Sequence, residues 1–171
     1  MLIKQPDLIS IKENKVTLIK NFISLERNYD FNLISKLMEE NNIRVNTKTE
    51  IGNLKDVFQM YNVLNYLPEF KTFYDFLNKL FKYRKDERDE VDIYFSFVSQ
   101  AGGGHVDIED VFILGLKGKT IYRIFSNVNK DYMVEEGDLI FIPKGISHKV
   151  VGITPRIIAS IGFYGERLNA I

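Results

Sequence analysis

The stretch Gly137-Asp138-Leu139-Ile140-Phe141-Ile142-Pro143-Lys144-Gly145-Ile146-Ser147-His148 governs how this chain is read. Leu139 to Ile142 is an apolar run of buried-strand length, opened by a turn at Glu135-Glu136-Gly137-Asp138 and ended by Pro143. Pro143 and Gly145 fix a turn between two strands and set His148 just past it. Upstream, Val91 to Val98 alternates with period two, Val91, Ile93, Phe95 and Phe97 on one face. The other face carries Asp92, Tyr94 and Ser96, polar enough to line a wet cavity. Val111 to Leu116 is a further apolar run, closed by Lys117-Gly118-Lys119, with Thr120 to Phe125 expected as its hairpin partner. Arg156 to Phe163 follows Thr154-Pro155 as a last strand. Short strands at this spacing predict a sandwich or barrel.

The N-terminal half reads differently. After an early strand within Lys15 to Phe22, Asp30 is a plausible N-cap for a helix over residues 31–41, with Phe31, Ile34, Leu37 and Met38 as its buried stripe. Asn53 opens a second expected helix, with Leu54, Val57, Phe58, Tyr61 and Leu64 on one face. Pro68 stands near the start of a third, where its missing N–H costs little. Phe70, Phe73, Tyr74, Leu77, Leu80 and Phe81 recur there at helical spacing and read as core. Lys82 to Glu90 is a mixed-charge run, expected to be a solvated connector. The chain is therefore mainly β with N-terminal helices: one domain over 1–171, with a mostly helical support region over 1–90 and a barrel core over 91–165.

Composition narrows the function. With 23 basic and 23 acidic residues the chain is neutral, so neither a nucleic acid nor an anionic membrane is an expected partner. No apolar run is long enough to span a bilayer, and the first residues lack the apolar stretch of a signal peptide, so a cytoplasmic location is expected. The absence of Cys excludes disulfides, thiolate metal sites and cysteine nucleophiles. Any histidine chemistry must use His105, His148 or both.

His105 lies in Gly102-Gly103-Gly104-His105-Val106-Asp107. In an extended segment residues i and i+2 point the same way, so His105 and Asp107 aim at one point, and the three glycines allow the backbone to bend closely around it. His148 can arrive as a third ligand from a remote strand. Two imidazoles and one carboxylate on one face of an octahedron are the ligand set of non-haem Fe(II) oxygenases, with three positions left open. The bland alternatives are a chance His-x-Asp and a satisfied core or surface histidine.

The two segments also carry a resemblance. Gly137-x5-Pro143-x-Gly145-x2-His148 is similar to the second cupin motif, with Gly152 in place of its usual final Asn. His105-Val106-Asp107-Ile108-Glu109-Asp110-Val111-Phe112 resembles the H-x-D-x-x-D-V-F pattern of JmjC-type cupin oxygenases, nearest the branch of bacterial ribosomal-protein hydroxylases. The likeness covers about residues 91–163. It implies a double-stranded β-helix (cupin, jelly-roll) barrel, Fe(II) held by His105, Asp107 and His148, 2-oxoglutarate as co-substrate, O₂, and hydroxylation of a peptide or protein side chain or a small metabolite. The chain reaches Ile171 soon after the last expected strand, so the extra C-terminal domains of larger relatives are expected to be absent. An uncovered barrel edge or aromatic face would support a homodimer.

One family position departs from the pattern. The Lys or Arg that usually grips the far carboxylate of 2-oxoglutarate falls at Thr120. Lys119 and Arg123 have the opposite parity, whereas Tyr122 shares that of Thr120 and can donate a hydrogen bond. Arg156, eight residues beyond His148, resembles the anchor of another branch of these oxygenases, its other reading being a surface charge at a strand start. Tyr94 is a further candidate for cavity contacts, or a packed aromatic with its hydroxyl at the rim. Asp110 either orients a ligand or caps a turn. Thr120 favours one alternative, a metal-dependent cupin dioxygenase or isomerase that does not use 2-oxoglutarate; a second, a non-catalytic ligand-binding cupin, would not need the two-histidine, one-carboxylate set.

Overall fold

The structure, a computed structural model, describes residues 5–43, 46, 47, 57–97 and 101–168. Among the described residues three α-helices, α1 (Gln5–Lys12), α2 (Phe31–Glu40) and α3 (Pro68–Phe81), precede most of the sheet. The N-terminal half also contributes short strands β1 (Thr17–Ile19), β2 (Asn46–Thr47) and β3 (Phe58–Met60). Then follow β4 (Glu90–Ser96), β5 (Ala101–His105), β6 (Asp110–Lys117), β7 (Thr120–Ile124), β8 (Lys130–Val134), β9 (Leu139–Ile142), β10 (His148–Gly152) and β11 (Arg156–Phe163). Among the described residues these form a seven-stranded sheet in the order β1-β9-β6-β11-β4-β3-β2 and a four-stranded sheet in the order β5-β10-β7-β8, paired antiparallel throughout. From β4 to β11 the chain passes from one sheet to the other at every connection except β7–β8, which is a hairpin. This is the jelly-roll course of a double-stranded β-helix.

Parity along each strand divides the core in two. Val91, Ile93 and Phe95 of β4, Phe112, Leu114 and Leu116 of β6, and Ile157, Ala159, Ile161 and Phe163 of β11 pack outward against the helices. Phe112 is fully buried there and sits in a ring cluster with Phe81, Phe141 and Phe163. Between the sheets lies the second cluster, built from Val111, Ile113, Tyr122, Ile124, Val134, Ile140, Ile142 and Ile158. A fully buried aliphatic or aromatic side chain contributes about 1.5–3 kcal/mol, so the helix-backed layer holds most of the apolar stabilisation.

Two expected helices form as their local signals dictate. Asp30 caps α2 by accepting from the Leu33 amide, and Pro68 opens α3. The second does not: Val57 is irregular, Phe58–Met60 is β3, and Val63–Asn65 is a single 3₁₀ turn, while Asn53 and Leu54 lie outside the described residues. Edge pairing with β4, Phe58 opposite Phe95 and Met60 opposite Ile93, prevails over the helical spacing. The expected hairpin of residues 111–116 with 120–125 is also overturned, because β6 pairs with β9 and β11 while β7 pairs with β8 and β10. Gly118, at φ +74°, turns a corner between sheets, where an added Cβ would lie 2.1 Å from the Pro155 carbonyl oxygen. The connector at residues 82–90 is less solvated than expected: Tyr83 is buried, and Asp89 accepts from the Tyr74 hydroxyl and the Tyr164 amide.

Candidate metal centre

His105 ends β5 and His148 begins β10, and the two are Cα partners across the antiparallel pair. Asp107 follows two residues after His105, outside the strand but on the same side. Pro143-Lys144-Gly145 turns the chain from β9 to β10; Gly145 takes φ +80°, which favours glycine, and donates its amide to the Asp107 carbonyl at 2.9 Å. The three ligand-type groups therefore come from two loops fastened to each other.

Each imidazole faces a backbone carbonyl with Nδ1: His105 lies 3.3 Å from the Gly103 oxygen and His148 3.0 Å from the Ile146 oxygen. A carbonyl only accepts, so Nδ1 carries the proton and Nε2 is left as the lone-pair donor. His105 Nε2 lies 3.6 Å from one Asp107 oxygen and His148 Nε2 lies 3.5 Å from the other. The three candidate ligand atoms fall within 4.8 Å of one another. Adjacent vertices of an octahedron with bonds near 2.1 Å are about 3 Å apart, so the three donors have the chemistry of a small-cation site and would draw together by about 0.5–2 Å to share one ion. Burial, together with the neighbouring His105, depresses the His148 pKa against the opposing pull of the Ile146 carbonyl and Asp107. That favours the neutral imidazole a metal needs. His148 is 2% exposed, whereas the His105 side chain is 48% exposed.

Gly103 is not forced by close approach, since a Cβ there would meet nothing within 4 Å, whereas a Cβ at Gly104 would press on the Phe125 ring at 3.3 Å.

His148 pairs with Ile124, and along the same inner face of β7 lie Tyr122 and then Thr120, which pairs with Gly152. Both are buried, while Arg123 and Lys119 turn outward to Asp131 and Glu135. Arg156 starts β11 opposite Ser96, on the parity of the inward-facing Ile158. It is 4% exposed, which removes the surface-charge reading. Its Nη1 and the Tyr122 hydroxyl oxygen are buried with no hydrogen-bond partner. Burial pulls the guanidinium pKa down and pushes the Tyr122 hydroxyl up, and each group opposes the shift of the other. An uncompensated buried cation beside an unpaired hydroxyl is the environment an anionic carboxylate would complete.

Tyr94 lies between the sheets with its hydroxyl accepting from Gln59 Nε2 at 2.7 Å. The same amide nitrogen donates to Asp92 Oδ2 at 2.6 Å, and Gln59 Oε1 is buried without a partner. Sequence reasoning missed Gln59, because it stands within the segment whose spacing mimics a helix.

No family model matches the chain, and no curated protein matches it. Solved structures match in fold. The Escherichia coli ribosomal oxygenase YcfD aligns at TM-score 0.71 and 19% identity over 99% of this chain and 53% of that one, so this chain spans about half the length of YcfD. YcfD has also been solved in complex with cobalt and 2-oxoglutarate, matching at TM-score 0.69, 20% identity and the same coverage. An oxidoreductase of the 2OG-Fe(II) oxygenase family from Burkholderia pseudomallei aligns at TM-score 0.64 and 12% identity over 99% of this chain and 97% of that one. SnoK, a non-heme alpha-ketoglutarate-dependent carbocyclase of nogalamycin biosynthesis, aligns at TM-score 0.69 and 10% identity over 94% and 83%. At 10–20% identity the likeness is one of architecture, and this chain has the double-stranded β-helix fold of these oxygenases.

Proposed function

We propose that the chain is a non-haem Fe(II)- and 2-oxoglutarate-dependent oxygenase, a hydroxylase. The observation that carries this reading is the approach of His105 Nε2, the Asp107 carboxylate and His148 Nε2 to one point at the end of the barrel. These three groups would hold the metal on one face, with their Nδ1–H bonds to carbonyls fixing both rings. Bound Fe(II) with 2-oxoglutarate and O₂ would supply the oxidation of a substrate C–H bond to an alcohol, with 2-oxoglutarate converted to succinate and CO₂.

The remaining work falls to this chain's own residues. Arg156 would pair with the far carboxylate of the co-substrate, assisted by the Tyr122 hydroxyl, with Thr120 on the same inner face. Their order along β7 and β11 supports an anchor toward the barrel end opposite the candidate metal ligands. This replaces the basic residue missing at Thr120. Tyr94 and the aliphatic residues between the sheets line the space and exclude water. Val106 and Ile108, beside Asp107, are exposed, as is half of His105, which favours a peptide or protein side chain over a fully enclosed metabolite. All candidate groups come from one chain. The likeness to a ribosomal oxygenase favours a cytoplasmic setting, and no described helix is long and apolar enough to cross a membrane.

Anaerobic titration with Fe(II), with and without 2-oxoglutarate, tests the reading. A visible charge-transfer band that requires both components, followed by succinate formation on admitting O₂, is expected. Fe(II) binding with no band and no succinate would replace it with a cupin enzyme that does not use 2-oxoglutarate. No metal binding would leave a ligand-binding barrel.

A further inference from the structure

Asp110, a residue 7% exposed, is the third acidic position of the His105-to-Phe112 segment, and its carboxylate hydrogen-bonds to none of the three candidate ligands. It reaches them through the backbone. Its Oδ1 accepts from the Lys144 amide at 2.9 Å, in the turn that delivers His148. One residue on, the Gly145 amide donates to the carbonyl of Asp107 itself. The β5–β6 loop and the β9–β10 turn are thus joined by two adjacent bonds, one ending on Asp107 and one on Asp110.

The other carboxylate oxygen is held from outside both loops. Asp110 Oδ2 accepts from Tyr83 Oη at 2.8 Å and from Arg167 Nε and Nη2 at 3.0 and 2.8 Å. Arg167 is fixed in turn: its Nη1 donates to the Ile11 carbonyl, and its guanidinium lies over the rings of Tyr83 and Phe141. Tyr83 stacks on Phe163 at a centroid distance of 4.3 Å. A turn cap needs one acceptor and no such frame. Here a charged acceptor with four donors ties the metal-bearing loops to α1, to the connector after α3 and to the residues after β11, through charge-assisted bonds stronger than neutral ones.

We propose that Asp110, clamped by Arg167 and Tyr83, is a positioning residue that sets the separation of Asp107 and His148 and through it the metal affinity of the site. The proposal rests on the metal-centre reading above. Because the clamp acts on the spacing between ligands, its loss will weaken the metal complex more than loss of an equally buried carboxylate elsewhere in the barrel. Asp138 is such a carboxylate: it is 1% exposed, accepts from the Glu135 and Asn21 amides, and precedes β9 at the end remote from Pro143.

The test is Co(II) binding, followed by calorimetry and by the visible spectrum, on the full chain and on Asp110→Ala, Asp110→Asn and Asp138→Ala. Asp110→Ala is expected to lose about 100-fold in Co(II) affinity and Asp110→Asn about 10-fold, because the amide keeps an oxygen for Lys144 but not the acceptor for Arg167 and Tyr83. Asp138→Ala should stay within about twofold of the parent, even with a lowered melting temperature. Should Asp110→Ala fail to fold, the Asp110→Asn and Asp138→Ala pair decides. Unchanged affinity in Asp110→Asn, or an equal loss in Asp138→Ala, overturns the clamp. Failure of the parent chain to bind Co(II) overturns the metal centre itself, and the clamp with it.

Discussion

Replacing Arg156 by Met separates two effects of opposite sign. The guanidinium is 4% exposed and its Nη1 has no partner, so in the ligand-free protein it is a buried, incompletely satisfied donor. Leaving such a group unpaired costs about 1–3 kcal/mol, and methionine keeps most of the aliphatic stem without the charge. For a chain of this size 1 kcal/mol moves the melting temperature by about 2–4 °C, so Arg156→Met should raise it by about 2–12 °C without ligand. The same change removes the only buried cation on the inner face among the described residues. Losing one partner of a buried charged pair costs about 2–5 kcal/mol, so 2-oxoglutarate affinity should fall at least about 30-fold. Differential scanning of the free protein and calorimetry of 2-oxoglutarate on Co(II)-loaded protein read the two quantities independently. A lowered melting temperature with unchanged 2-oxoglutarate affinity would refute the reasoning and make Arg156 a structural residue.

Other perturbations have more direct expectations. His148→Ala should abolish Co(II) binding and turnover while circular dichroism stays native, because the surrounding core is aliphatic; equal loss of fold and binding would make His148 structural. Phe112→Ala should destabilise by about 3–5 kcal/mol in denaturant melts, since Phe112 is fully buried amid four other rings. Gly118→Ala should destabilise the protein by more than about 1 kcal/mol, because φ +74° and a 2.1 Å approach to the Pro155 oxygen exclude a Cβ. A stability unchanged within error would show that the corner can relax.

Much of the barrel is legible one strand at a time. Alternation in β4 assigns Asp92, Tyr94 and Ser96 to the inner face, and parity in β7 sends Thr120 and Tyr122 inward and Arg123 outward. Asp30 and Pro68 mark their helices because capping is local chemistry. Partner choice between strands is not local. Lys117-Gly118-Lys119 suits a hairpin turn and an inter-sheet corner equally, and only packing of the Gly118 corner against Pro155 decides. The strand β8, Lys-Asp-Tyr-Met-Val, forms without a strong apolar signal because it completes a hairpin with β7. Val57 to Leu64 mimics a helix because an edge strand followed by a 3₁₀ turn places apolar residues at comparable intervals.

At the site, the three candidate ligands are legible because a two-histidine chain leaves few choices. Arg156 is legible as a position but not as a buried group, since burial depends on the sheet opposite. Gln59 and the clamp on Asp110 are assembled from residues far apart in sequence, Gln59 with Asp92 and Tyr94, and Asp110 with Tyr83, Lys144 and Arg167. No periodicity encodes such meetings.

Anomalous scattering from a crystal of the Co(II)-loaded protein interrogates the metal centre itself. One strong peak is expected, about 2.0–2.3 Å from His105 Nε2, a carboxylate oxygen of Asp107 and His148 Nε2. A peak that engages other side chains, or none at these three, would contradict the account.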